Sequence, residues 1–186
     1  MNIGFAMCGS FCTFAQVFPV MESLAAEHHI IPIFSKVVCE TDSRFGRAED
    51  FWRKAKEITG LEPINTIGQA EPIGPKRLLD ALIIAPCTGN TLAKLAHGIA
   101  DGPVTMATKS HLRNGRPVLI AVSTNDALAA AGENIGRLLS RRNYCFVPFC
   151  QDDPKKKPTS MVADFAKIPE TLTEALAGRQ IQPILL

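Results

Sequence analysis

Leu82-Ile83-Ile84-Ala85-Pro86-Cys87-Thr88-Gly89-Asn90-Thr91-Leu92-Ala93-Lys94-Leu95-Ala96-His97-Gly98-Ile99-Ala100-Asp101 decides how this chain folds. Leu82 to Ala85 is a short, continuous apolar run, the pattern of a strand buried on both faces of a parallel sheet. Pro86 has no N–H for a ladder and is expected to end that strand. Thr88, Gly89, Asn90 and Thr91 then supply hydroxyls, a side-chain amide and flexible backbone. Leu92, Leu95, Ala96 and Ile99 follow at i, i+3, i+4 and i+7, one face of a helix. The stretch is expected to form strand, polar turn and helix. In an open α/β sheet such a turn binds ligands, because unpaired N–H groups at a helix start attract anions. Thr and Asn at a helix start are equally good N-caps, so the pattern alone leaves both roles open.

Working outward, Ile3 to Met7 reads as the first strand. Cys8-Gly9-Ser10-Phe11-Cys12-Thr13 is a turn into a helix reaching about Glu27. Gly9 permits close backbone approach, and Ser10 with the N–H groups of Ser10 and Phe11 suits a phosphate, or simply a capped βα turn. Only one glycine of the dinucleotide Gly-x-Gly-x-x-Gly pattern is present. Ile30 to Phe34 is the second strand, ending at Ser35-Lys36. A helix is expected over about Ala48 to Thr59, with Phe51, Ala55 and Ile58 as its apolar stripe. Leu61 to Thr66 suits a short edge strand, and a short helix is expected after Glu71-Pro72-Ile73-Gly74-Pro75.

Two of these stretches resemble one family. Pro86-Cys87-Thr88-Gly89-Asn90-Thr91, with its helix ending in Gly98-Ile99-Ala100-Asp101, is similar to the Pro-Ala-Ser-Ala-Asn-Thr signature of flavin-dependent cysteine decarboxylases. That superfamily includes phosphopantothenoylcysteine decarboxylases, lantibiotic-processing flavoproteins and flavin prenyltransferases. The Gly9-Ser10 turn resembles the one holding the flavin phosphate there. The resemblance implies cofactor-binding roles for Gly9, Ser10, Phe11, Ser35, Pro86, Cys87, Thr88, Gly89, Asn90, Thr91, Ser123 and Thr124. Ser35 is carried over on its position at the end of the second strand, where it also suits a plain turn. A phosphate turn without the three-glycine fingerprint points to FMN rather than a dinucleotide.

Length and composition fit this reading. The 186 residues suit one α/β domain, 1–186, a doubly wound, mainly parallel, Rossmann- or flavodoxin-like sheet flanked by helices. A net charge of +2, with 46% hydrophobic and 20% charged residues, gives no reason to expect nucleic acid as a partner. No apolar run approaches the roughly 20 residues that span a bilayer, and no secretory signal precedes Ile3, so a cytoplasmic place is expected. Cys8, Cys12, Cys39, Cys87, Cys145 and Cys150 include no Cys-x-x-Cys pair, and neither a disulfide framework nor a metal site is expected. Cys12 and Cys87 lie in expected site loops, but packing is the reading adopted for both.

Beyond Gly102-Pro103 a helix is expected over Val104 to Leu112, with His97 and His111 structural or solvated. Pro117 to Val122 is a further strand, and Ser123-Thr124-Asn125-Asp126 its polar turn. The decarboxylases carry Pro-Ala-Met-Asn-x-x-Met here, and this chain keeps the asparagine as Asn125. The resemblance gives Asn125 the substrate carboxylate and Asn90 the flavin ring edge or adjacent substrate. A helix over about Ala129 to Arg141, a last strand over Tyr144 to Phe149 and a last helix over about Pro169 to Ala177 complete the expected elements. Residues 151–160 form a charged loop, either solvated or a lid. Residues 180–186 form an apolar tail, too hydrophobic to stand wholly exposed.

These departures fit one branch best. Gly9 to Thr13, Thr41-Asp42-Ser43-Arg44-Phe45-Gly46, Glu71 to Pro75, Ala85 to Thr91, Ser123 to Leu128 and Gln151 to Pro154 together are similar to the B subunits of dipicolinate synthases. The resemblance implies a flavoprotein component supporting oxidation of a dihydro- or tetrahydropyridine dicarboxylate from the lysine pathway to pyridine-2,6-dicarboxylate during sporulation. It also implies a partner, the A subunit of dipicolinate synthase, and a homo-oligomer with flavin at the contact between copies. A phosphopantothenoylcysteine-type decarboxylase and a non-catalytic stabilising component stand as alternatives.

Overall fold

A computed structural model describes all 186 residues. Its single sheet has seven strands. The parallel part comprises β1 (Asn2–Met7), β2 (His29–Phe34), β3 (Ala81–Cys87), β4 (Val118–Thr124) and β5 (Tyr144–Phe146). They lie in the order β2-β1-β3-β4-β5, the doubly wound arrangement with its switch point between β1 and β3. Every residue of β3 is buried, as a central strand covered on both faces requires.

Two helical layers provide that cover. On one face pack α1 (Phe14–Ala25), α3 (Ala48–Thr59) and α8 (Ile168–Leu176); on the other α5 (Gly89–His97), α6 (Pro103–Leu112) and α7 (Gly132–Leu139). Two short helices, α2 (Lys36–Glu40) and α4 (Ile67–Ala70), fill connections. Thr66 and Gln69 form a capping box that starts α4, and the Thr-x-x-Gln spacing is its signal in the sequence. Phe14 meets Phe51 edge-on, with ring centroids 4.7 Å apart, and Phe11 stacks on Phe51 at 5.8 Å. These rings tie the turn after β1 to α3. Rigid aromatic contacts of this kind fix a loop at its base.

Several expectations need correcting. Pro86 lies inside β3, not after it. The register to β4 shifts between Ile84 and Cys87, which accommodates the missing donor, and the Pro86 carbonyl accepts from the Cys8 N–H at 3.2 Å. Ile99 lies outside α5 and is 48% exposed, because Gly98 turns the chain into the left-handed region at φ 72°. Leu61 to Thr66 is not a strand. Only Ile64 pairs, by a bridge to Ile33, and adjacent Pro63 offers no N–H to extend it. No helix follows Pro75; α4 and a 3₁₀ turn at Glu71–Ile73 precede it.

The segment expected as a helix from Ala129 forms one only from Gly132, since the Leu128 N–H is drawn to the Thr159 carbonyl at 3.0 Å. The strand expected over Tyr144 to Phe149 divides at Val147-Pro148. After Pro148 the chain forms β6 (Phe149–Cys150), which pairs antiparallel with β7 (Met161–Ala163), and β7 pairs antiparallel with the end of β4. This hairpin makes the sheet mixed. The tail is partly covered: Ile181 is buried and the Phe149 N–H donates to the Ile184 carbonyl at 3.0 Å, while Leu185 and Leu186 stay exposed. His111 is buried, its Nε2 3.1 Å from the Pro117 carbonyl, and burial holds its pKa below the usual imidazole value. No helix is long and apolar enough to cross a membrane.

Candidate functional site

The C-terminal ends of β1 and β3 flank the switch point, where helices leave toward opposite faces and backbone N–H groups face open space. A cavity of about 770 Å³ opens there. Its walls include Gly9, Ser10 and Phe11 from the turn after β1, Thr88, Gly89 and Asn90 from the start of α5, and Ser123, Thr124 and Asn125 from the end of β4. A second cavity of about 470 Å³ shares Gly9, Thr88 and Asn90 as a wall and adds Ser35 and Thr91. Pro86 and Cys87 reach neither cavity, contrary to expectation, because both are buried in β3. Cys12 is exposed and lines the first cavity, so the packing expectation fails there and holds for buried Cys87.

Six hydroxyl side chains line the first cavity, those of Ser10, Ser43, Thr88, Ser123, Thr124 and Ser160. Ser10 Oγ and Ser123 Oγ lie 2.7 Å apart, so one hydroxyl hydrogen is spent between them and the other remains to donate. Thr124 Oγ1 donates to Asp126 Oδ1 and is left as an acceptor. Gly89 leaves room for that pair: a Cβ there would stand 2.8 Å from both Thr124 Oγ1 and Asp126 Oδ1, and these side chains would have to shift. Thr88 caps α5, its Oγ1 accepting from the Thr91 N–H at 3.4 Å, and Thr91 Oγ1 donates to Cys8 Sγ at 3.3 Å. Burial pushes the Cys8 thiol up to about 11, against the opposing pull of the Thr91 hydrogen bond, and lifts Cys87 well above the ordinary thiol value. Both stay protonated at neutral pH, Cys8 as an inert part of the second cavity's wall and Cys87 inside β3.

Ser35 Oγ is buried without a hydrogen-bond partner in the wall of the second cavity. An unmet buried hydroxyl costs roughly 1–3 kcal/mol, which a polar ligand atom would recover. Ser35→Ala is therefore expected to leave the melting temperature of the ligand-free protein unchanged or higher, while weakening ligand binding by about tenfold. A lower melting temperature of the ligand-free variant would mean that the hydroxyl serves the fold.

The loop between β6 and β7 contributes residues that the sequence alone did not single out: Asp152, Lys157 and Ser160. Lys157 Nζ lies 2.8 Å from Asp152 Oδ2. Burial works to raise the Asp152 carboxyl, but hydrogen bonds from Lys157 and Ser160 outweigh it and hold the pKa below the usual carboxylate range. The same Asp152 bond raises Lys157. Thr159 Oγ1 donates to the Asn125 carbonyl at 2.7 Å, clasping the loop to the turn after β4. Across the cavity, the Arg44 guanidinium lies 4.8 Å over the Phe45 ring. The signal for Lys157 was its charged tract, which looks like solvated surface until the hairpin folds it back.

Comparison with known proteins agrees with this architecture. The Flavoprotein family matches residues 1–170. The B subunit of dipicolinate synthase from Bacillus subtilis (strain 168) is 48% identical over 186 residues, covering 100% of this chain and 93% of that one. The crystal structure of the corresponding B subunit from Bacillus halodurans C superposes with a TM-score of 0.91 at 44% identity, covering 100% and 95% of the two chains. The FMN-dependent cysteine decarboxylase SpaF shares the fold, with a TM-score of 0.63 at 23% identity over 95% and 94%.

Proposed function

The chain belongs to the Flavoprotein family, and from that premise we propose that it binds FMN as the B subunit of a dipicolinate synthase. The observation that carries this reading is the buried, unpartnered Ser35 hydroxyl beside a hydroxyl-lined cavity at the switch point. The donor set suits a flavin phosphate: a free hydroxyl hydrogen from the Ser10–Ser123 pair, the Ser35 hydroxyl, and N–H groups at the start of α5. Asn90 stands between the two cavities, where its amide can both donate and accept along a ring edge. The bound isoalloxazine would supply what side chains lack, an acceptor for the hydride lost when a dihydropyridine ring becomes aromatic, the second proton passing to solvent.

The remaining work falls to this chain. A dicarboxylate substrate needs donors, and Asn125 and Lys157 face the first cavity from two different elements. Asn125 donates to one carboxylate through its amide, and Lys157 adds a positive charge from the loop. That loop is held beside the cavity by Thr159, whose Oγ1 donates to the Asn125 carbonyl. In this reading the synthase's A subunit completes the enzyme, the chain self-associates with flavin near the contact, and the assembly is cytoplasmic.

The test is a purified protein with a flavin absorption spectrum whose flavin-loaded form, mixed with the A subunit, forms pyridine-2,6-dicarboxylate faster than its flavin-free form. Equal rates from both forms would favour a purely stabilising role and end the flavin reading. Within that assay Asn125→Ala is expected to raise the Michaelis constant by about tenfold at unchanged flavin content, the loss of one hydrogen bond to a charged group. Lost flavin with a normal Michaelis constant would move Asn125 into the cofactor site.

A further inference from the structure

We propose that the turn Ser43–Gly46 is a specificity element of the first cavity, in which Arg44, stacked on Phe45, takes the second carboxylate of the ligand. This role rests on the reading of that cavity as a dicarboxylate site and adds the residues that distinguish two carboxylates from one. Arg44 and Phe45 line the cavity together with Asn125 and Lys157. They reach it from different sides, because β2, which leads to the turn, and β4, which leads to Asn125, flank β1 and β3 in the sheet.

The backbone of the turn is closed on itself. Ser43 and Gly46 exchange two backbone hydrogen bonds, at 3.0 and 3.2 Å, and Ser43 Oγ accepts from the Phe45 N–H at 3.2 Å. Arg44 and Phe45 are left as the two tip residues of a tight hairpin. Its base is fastened where Asp42 Oδ1 accepts from the Ala48 N–H at 2.9 Å. Gly46 has a φ of 148° and lies so near Phe51 that a Cβ would stand 2.7 Å from that ring. Phe51 also stacks on Phe11, which lines the same cavity. One aromatic cluster therefore supports both the turn and the wall it faces.

The tip combines two features that occur together nowhere else in the chain. Phe45 is 47% exposed and is the only exposed aromatic side chain. Its ring carries the Arg44 guanidinium, 4.8 Å from the centroid. Arg47, the other arginine of this connection, is held by Asp50 at 3.1 Å, which leaves Arg44 for a ligand. A guanidinium stacked on a ring keeps its in-plane N–H groups free to grip a carboxylate at two points. Fixing it before the ligand arrives reduces the ordering cost of the contact.

The test measures binding of pyridine-2,6-dicarboxylate and pyridine-2-carboxylate to the flavin-loaded full chain by calorimetry. Wild type is expected to bind the dicarboxylate about tenfold tighter or more. Arg44→Gln should weaken the dicarboxylate by about 10- to 100-fold and change pyridine-2-carboxylate by no more than about twofold. Arg44→Lys should recover little of that loss, because an ammonium keeps the charge without the planar fork. Phe45→Leu should weaken the dicarboxylate by about two- to fivefold, the worth of an exposed cation–π contact. Flavin content and melting temperature should stay at wild-type values in all three variants.

If wild type binds the dicarboxylate and Arg44→Gln binds it equally well, the inference is overturned and the reading of the cavity survives. Equal losses for both acids, full recovery with lysine, or flavin lost from Arg44→Gln would each overturn it as well. Wild type that binds neither acid up to roughly 10 mM removes the dicarboxylate reading and the inference together.

Discussion

Ser10→Glu is expected to yield a folded protein that purifies without flavin. Ser10 sits on the turn after β1, where its Oγ shares a hydrogen with Ser123 at 2.7 Å and lines the cavity at the switch point. A glutamate there removes the donor, fills the space with a longer side chain and brings a negative charge against the phosphate. Two like charges about 4 Å apart repel by about 4 kcal/mol at a protein surface, a loss in affinity of more than 100-fold. The fold has reason to survive, because Ser10 lies outside the core and the turn is anchored by Thr13, whose Oγ1 donates to the Ser10 carbonyl at 2.8 Å. The check is the flavin-to-protein ratio after desalting, with a thermal melt to show that the variant is folded. A folded variant with full flavin content would sink the phosphate assignment.

Lys157→Met should raise the Michaelis constant for the dicarboxylate by roughly 10- to 100-fold, the effect of removing one charged hydrogen bond of about 1.5–3 kcal/mol. Methionine keeps the length and apolar stem of lysine, so the loop loses a charge and little packing. Flavin content should not change, since the Ser10, Ser35 and Asn90 side chains belong to other elements. The variant also frees Asp152, whose carboxyl is held below the usual range partly by the Lys157 bond. Without that bond its pKa should rise, and the variant's Michaelis constant should fall as the pH drops and Asp152 is neutralised. Wild type should show no such trend above the ordinary carboxylate pKa, since Asp152 stays ionised there. A flat pH profile for the variant with an unchanged Michaelis constant would place Lys157 outside the substrate site and leave the loop a solvated surface.

The parallel sheet and its ligand-binding edge were legible in the sequence because their causes are local. A continuous apolar run, a polar turn and residues at helical spacing suffice for β3 and α5, and alternative pairings would expose that apolar surface to water. The helix Ala48–Thr59 was likewise readable from its stripe at Phe51 and Ala55. The turns at Ser10 and Thr88 were recognisable because hydroxyl and glycine residues come directly after buried strands, whereas Ser123 and Thr124, expected to begin a turn, instead extend β4 to pair with β7. The features that stayed hidden depend on long-range partners. Pro86 looked like a strand end, yet the Cys8 N–H and a shifted register with β4 carry the strand past it. Tyr144 to Phe149 looked like one strand, yet Pro148 divides it, and β7, from the far side of a charged loop, pairs with Phe149 and Cys150. That pairing, with the β7–β4 pairing and the Thr159 clasp, brings Lys157 and Asp152 to the cavity. Periodicity along a chain reports which face of an element is buried. Which distant loop closes over a site is decided by strand pairing and hydrogen bonds made only once the chain has folded.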